Sequence, residues 1–134
     1  MTGNLTRTFN DVKERLDAGD GINSQTLAAT ADGTLAYVNP ETDILFVTSA
    51  AADNWFYMPA AVSGKRMTIN VAATCEVRSA VAADKMNNVV IGATNEAPLI
   101  AGATYDARYV AGNWLITGVD AEGVAVAAVV PNAV

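Results

Sequence analysis

The stretch YMPAAVSGKRMTINV, Tyr57 to Val71, decides how the chain is read. Its Gly64-Lys65, with Thr68 close behind, invites a phosphate-binding loop. That loop needs Gly, four residues and then Gly-Lys-Ser/Thr, because backbone N–H groups wrap the phosphates and the hydroxyl holds magnesium. The first glycine would stand at 59, but Pro59 has no N–H and a fixed φ, and the hydroxyl position is Arg66. Met67 to Val71 then alternates apolar and polar residues, the period of a strand. The stretch therefore reads as a strand ending at Pro59, a turn at Ser63-Gly64 and a second strand opening at Lys65-Arg66. It is a β-hairpin rather than a nucleotide site.

The same period runs from residue 21 onward. It predicts strands over 25–30, 34–38, 43–49, 54–58, 66–72, 75–81, 87–91, 104–110, 113–118 and 123–130. Between them stand Asp32-Gly33, Asn39-Pro40, Ala52-Asp53-Asn54, Ser63-Gly64, Asp84, Asn95, Gly112-Asn113 and Glu122-Gly123. There glycine supplies φ > 0, and Asn and Asp bond the local backbone. Short strands at roughly 8–12-residue spacing mark an antiparallel sandwich or barrel. The expectation is a mainly β fold over 21–134, an antiparallel β-sandwich or barrel of jelly-roll-like kind. Gly92, Gly102 and Gly112 predict turns or bulges at successive strand exchanges.

Residues 1–20 differ. Leu5, Phe9, Val12 and Leu16 fall at i, i+4, i+7 and i+11, one stripe of a helix, and Gly19 suits its C-terminal stop. Arg7, Asp11, Lys13, Glu14, Arg15, Asp17 and Asp20 crowd into the same segment. It is expected to be a short amphipathic helix or arm, packed on its own domain or docked on a neighbouring subunit.

Composition narrows the function. The chain has 134 residues, enough for one core, and a net charge of −6 with a pI near 4.3. No basic cluster offers contacts to phosphate, so neither nucleic acid nor an anionic membrane is an expected partner. Charged residues make up 16% of the chain, against about 25% on average. Such a small, neutral surface suits burial against other subunits. No apolar run approaches the length of a spanning helix, and the N-terminus has no apolar core of a secretory signal. The lone Cys75 is expected to be a small buried hydrophobe, in keeping with assembly in a reducing cytoplasm.

The chemistry of enzymes is poorly supplied. There is no His and only one Cys, which removes the commonest base, Ser-His-Asp and Cys-His sites, and zinc. Asp106 and Arg108 share a face of a predicted strand, where a solvent-facing pair is expected. No catalytic residue, cofactor or metal ligand is assigned. Trp55, Phe56 and Tyr57 are consecutive, so alternate members face opposite sides of a sheet. Trp55, Tyr57 and Trp114 are expected in the core or around a subunit axis, with a carbohydrate-stacking platform as the other use of such rings.

Two motifs carry a resemblance. WFYMPAAVSGKRMTI (Trp55–Ile69) is followed, after short strands, by GNWLITG (Gly112–Gly118) and then Ala121-Glu-Gly123. The pair resembles a Leu-Pro-Ala-Ala-x-x-Gly-x-Arg hairpin followed by a Gly-Asn-Trp strand in tailed-bacteriophage structural proteins. Met58 stands where those proteins often have Leu, and the resemblance covers roughly 43–124. It implies a trimeric virion β-domain, found in head decoration (cement) proteins and in fibre or tail appendages. On that basis the chain is expected to be a non-enzymatic decoration protein on the capsid exterior. A homotrimer would bind the major capsid protein, with Leu5, Phe9, Val12 and Leu16 as capsid or subunit contacts. A head- or tail-fibre domain, or a receptor- or carbohydrate-binding module, is the alternative.

Overall fold

A computed structural model of the chain describes residues 23–132. The predicted N-terminal helix or arm lies outside them. The described part is mainly β, without a helix, and builds two sheets. The strands are β1 (Ser24–Ala29), β2 (Ile44–Ser49), β3 (Trp55–Met58), β4 (Arg66–Val71), β5 (Cys75–Ser79), β6 (Lys85–Met86), β7 (Val89–Val90), β8 (Ala97–Leu99), β9 (Thr104–Val110) and β10 (Asn113–Val119). A seven-stranded sheet has the order β1-β2-β4-β9-β10-β6-β7, and a three-stranded sheet the order β3-β5-β8.

Period two does what it should. In β4, Met67, Ile69 and Val71 are buried while Arg66, Thr68 and Asn70 are exposed. The inner face of the large sheet supplies Leu45, Val47, Ile69, Tyr105, Trp114 and Ile116 to the core. Phe56, Met58, Cys75, Val77 and Leu99 meet them from the small sheet. Trp114 is fully enclosed and leans on Tyr109, with ring centroids 5.0 Å apart and planes tilted by 57°.

Strand direction departs from the expectation. β1–β2, β2–β4, β3–β5 and β6–β10 are parallel, while β4–β9, β9–β10, β5–β8 and β6–β7 are antiparallel. The chain commutes between the sheets: β2 in the large one, β3 in the small, β4 back in the large beside β2, β5 back in the small beside β3. Each round trip returns it to the same end, and the next strand is laid parallel to the one before. The stretch Tyr57–Val71 is therefore not a hairpin. β3 and β4 lie in different sheets, and Pro59 to Lys65 is a crossover. The Ser63–Gly64 turn survives, with Gly64 at φ 100°.

Other boundaries move for identifiable reasons. Residues 34–38 form no strand, because Gly33 and Leu35 take φ values of 72° and 61°. They still bond along β3, Tyr57 N to Ala36 O at 2.8 Å and Val38 N to Tyr57 O at 3.0 Å. The run 123–130 pairs only through the single bridge Val119↔Ala125. The strand expected over 87–91 shortens to β7, and a turn at Asn87-Asn88 (φ 46° and 74°) joins β6 to it. The Asn87 side chain donates to Ile116 O at 2.8 Å and Val129 O at 2.9 Å, and accepts from Ile116 N at 3.0 Å. One amide thus stands in for a strand beside β10. The expected turns at Gly92, Gly102 and Gly112 are all present, each glycine at positive φ.

A buried carboxylate ties the layers together. Asp84 accepts the Tyr109 hydroxyl at 2.8 Å and the Ser79 hydroxyl at 3.0 Å. That hydrogen bond, with burial and the carboxylate's charge, pushes the Tyr109 phenol above its ordinary value. Replacing Trp114 with Ala empties the centre of this core and should lower the unfolding free energy by about 3–5 kcal/mol. Urea denaturation measures the loss.

Candidate functional site

The outer face of the small sheet and the loop beside it carry the least ordinary surface. Because Phe56 and Met58 turn inward, Trp55 and Tyr57 must turn outward. On β5 the same parity puts Glu76 and Arg78 outward, and β3–β5 pairing sets Trp55 against Glu76 and Tyr57 against Arg78. The Arg78 guanidinium lies over the Trp55 ring, 4.0 Å from its centroid. It is held there by Glu96, whose Oε2 accepts from Arg78 Nε at 3.0 Å and Nη2 at 2.9 Å. This combines a cation–π contact with a partly desolvated ion pair.

The loop from Thr30 to Val38 closes the other side. Trp55 exchanges backbone bonds with Thr30, 2.9 and 3.1 Å. Tyr37 stacks on Tyr57, centroids 4.5 Å apart and planes within 10°. Gly33 lies flat on the two aromatics. A Cβ there would collide with Trp55 Nε1 and come within 2.6 Å of Tyr57 Cε2. That contact leaves Trp55 Nε1 enclosed without a hydrogen-bond partner. Asp32 Oδ1 accepts Thr34 N at 3.0 Å, and the Thr30 hydroxyl donates to Thr34 O at 3.2 Å. Hydrogen bonds from the Thr34 backbone and then its side chain hold the carboxyl of Asp32 below its ordinary range. The loop they brace presents Leu35 in the left-handed region, φ 61°, with its side chain 88% exposed beside the 55% exposed Tyr37.

Glu76 sits in an acidic neighbourhood. Burial, a hydrogen bond to Glu96 and the charges of Glu96 and Asp53 raise its carboxyl to about 7, against the pull of Arg78. The described residues contain no group of three acidic or thiol side chains placed to hold a metal.

Trp55 and Tyr57 are half-buried on this outer face rather than in the core. Trp114 lies at the centre of the core. Leu5, Phe9, Val12 and Leu16 lie outside the described residues. Asp106 and Arg108 share the outer face of the large sheet but form no ion pair, and Arg108 stands directly opposite Arg66. Leu35, Tyr37, Arg78, Glu76 and Glu96 were not legible as one cluster. Only the spacing Glu76-x-Arg78, putting both on one face of a strand, signalled any of it. The turn of the first motif packs against the residues just before the second. Ala111 N donates to the Ser63 hydroxyl at 2.9 Å, and Gly64 N to Tyr109 O at 2.8 Å. No family model matches the chain, and no curated protein and no solved structure matches it either.

A carboxyl raised on folding binds its proton more tightly in the folded state. The stability it adds is complete below its unfolded value of 4.5 and is lost as pH rises through about 7. Melting temperature should therefore fall across that window. Glu76→Gln should flatten this fall, which calorimetry over the same pH range reads.

Proposed function

We propose that the chain is a non-enzymatic virion structural protein of a tailed bacteriophage, a decoration (cement) protein. It binds the major capsid lattice as a homotrimer on the capsid exterior, after assembly in the host cytoplasm. The observation that supports this best is the Leu35 loop. A leucine in the left-handed region costs about 1–2 kcal/mol, and an 88% exposed side chain recovers none of it in the free chain. Burying a leucine in a partner's apolar pocket returns about 1.5–3 kcal/mol. A braced loop that holds a strained, exposed leucine beside stacked tyrosines is suited to enter another protein. The paired motifs, the first of which meets Ala111, the residue just before the second, and a low-charge surface with net −6 agree with this reading.

The action is mechanical. Whatever binds the assembled lattice but not its dissociated parts adds its binding free energy to the lattice by mass action. A trimer at a local three-fold bridges neighbouring capsid subunits, and many copies multiply a modest individual affinity. A second reading rests on the same surface. Tyr37, 55% exposed and stacked on Tyr57, suits a sugar-stacking platform of a receptor-binding module or appendage.

The test mixes the purified chain with capsids that lack it. Co-sedimentation in hundreds of copies and a higher rupture temperature are expected. Leu35→Asp should weaken binding by roughly 10- to 100-fold, the equivalent of losing one buried leucine. Absence of capsid binding, together with glycan binding lost in Tyr37→Ala, would overturn the decoration reading in favour of the second.

A further inference from the structure

We infer that the outer face of the seven-stranded sheet is the docking surface for this chain's own residues 1–20, and that it stands whether or not the chain decorates a capsid. That face carries few charged side chains. Phe46, Leu115 and Val119 are exposed on it among threonines. A groove of about 480 Å³ runs along it past Thr68, Asp106, Thr117 and Val119.

One corner of the face is electrostatically unfinished. Arg66 and Arg108 are directly opposed on β4 and β9, and neither makes an ion pair among the described residues. Like charges facing across strands are unfavourable, so an anion placed between them gains from both. In a chain of net charge −6, this corner is locally positive.

The place where residues 1–20 leave the domain is fixed. Asn23 O accepts from Asp43 N at 2.8 Å and Ile44 N at 3.1 Å, pinning the entry to β1 at the sheet edge. Register puts Ser24 level with Ile44, Thr68, Asp106 and Thr117. Arg66 and Arg108 lie two residues further toward the end from which the segment departs. At roughly 4.8 Å between strands, they stand about 10 and 14 Å from β1.

The segment has the matching chemistry. Asp11, Glu14, Asp17 and Asp20 supply the anions, and the last two are nearest the exit. Leu5, Phe9, Val12 and Leu16 supply an apolar stripe. As the helix its pattern predicts, it rises about 1.5 Å per residue. Counted from Ser24, that brings Asp17 to the arginine pair, about 10 Å from the edge, and Phe9 about 22 Å out, just past β10 at about 19 Å. The stripe then covers Leu115 and the groove, rather than meeting the capsid or a neighbouring subunit.

The full chain tests this with two engineered disulfides, Asp17→Cys with Arg66→Cys and Phe9→Cys with Thr117→Cys, and a control pair, Asp17→Cys with Ala121→Cys, at the far end of the sheet. Cys75 is a spectator, since it is buried and its thiol is pushed up to about 12. Mild oxidation at micromolar protein should close both test pairs within single chains at least about tenfold faster than the control, as a tethered segment has an effective concentration near the millimolar range. Near-UV circular dichroism checks that each variant remains folded. Disulfide-linked dimers would instead assign the face to another copy's segment. Closure no faster than the control in a folded protein would leave the face to a different partner. Either result overturns the proposal.

Discussion

The carboxylate of Asp84, gripped by the hydroxyls of Tyr109 at 2.8 Å and Ser79 at 3.0 Å, is the joint between the two layers. Ser79 closes β5 in the small sheet, Tyr109 belongs to β9 in the large one, and Asp84 opens the short path into β6. A buried carboxylate is tolerable only when its oxygens are satisfied, so its position constrains three segments at once. Tyr109 in turn supports the indole of Trp114. β6 leads into Asn87, whose amide completes the hydrogen bonding of β10 and holds the tail at Val129. The centre of the large sheet and its finishing edge therefore hang on one polar contact set inside an apolar core.

Around that joint the chain alternates between layers, and the alternation determines what reaches the surface. Every strand between the two sheets must be apolar on one side. Its other side is free to carry what contact with other molecules requires. On the large sheet that side is threonine-rich, with a few apolar side chains and two opposed arginines. On the small sheet it is aromatic and ionic, with Arg78 bound between the Trp55 ring and Glu96. The crossover from β1 to β2 does more than connect. Its positive-φ residues Gly33 and Leu35 stop it from becoming a strand, and they fold it over the aromatics of β3.

Much of the core was readable because burial follows parity. Leu45, Val47, Met67, Ile69, Tyr105, Ala107, Trp114 and Ile116 fall at alternate positions of predicted strands, and all are buried. The turn residues were equally direct, since a positive φ costs glycine little. Trp55 and Tyr57 were harder. Three consecutive aromatics must divide between two faces, but parity alone does not say which face is the core. Phe56 took the inside, and its neighbours were left to stack on Arg78 and Tyr37. β8, a three-residue strand built around Pro98, has too little pattern to find. Residues 34–38 had the pattern of a strand and lacked its dihedrals.

The sequence by itself determined a mainly β chain, its inward-facing residues, its tight turns and the failure of the phosphate-loop pattern at Pro59. These depend on side-chain parity and on the conformational limits of single residues, both local. Only the tertiary structure decided strand direction and partnership, because period two is identical in parallel and antiparallel strands. It turned the Tyr57–Val71 stretch from a hairpin into a crossover between layers. It also brought Leu35, Tyr37, Trp55 and Arg78 to one surface and set Arg66 against Arg108. Those meetings follow from the register between strands far apart in the chain, which no short stretch of residues encodes.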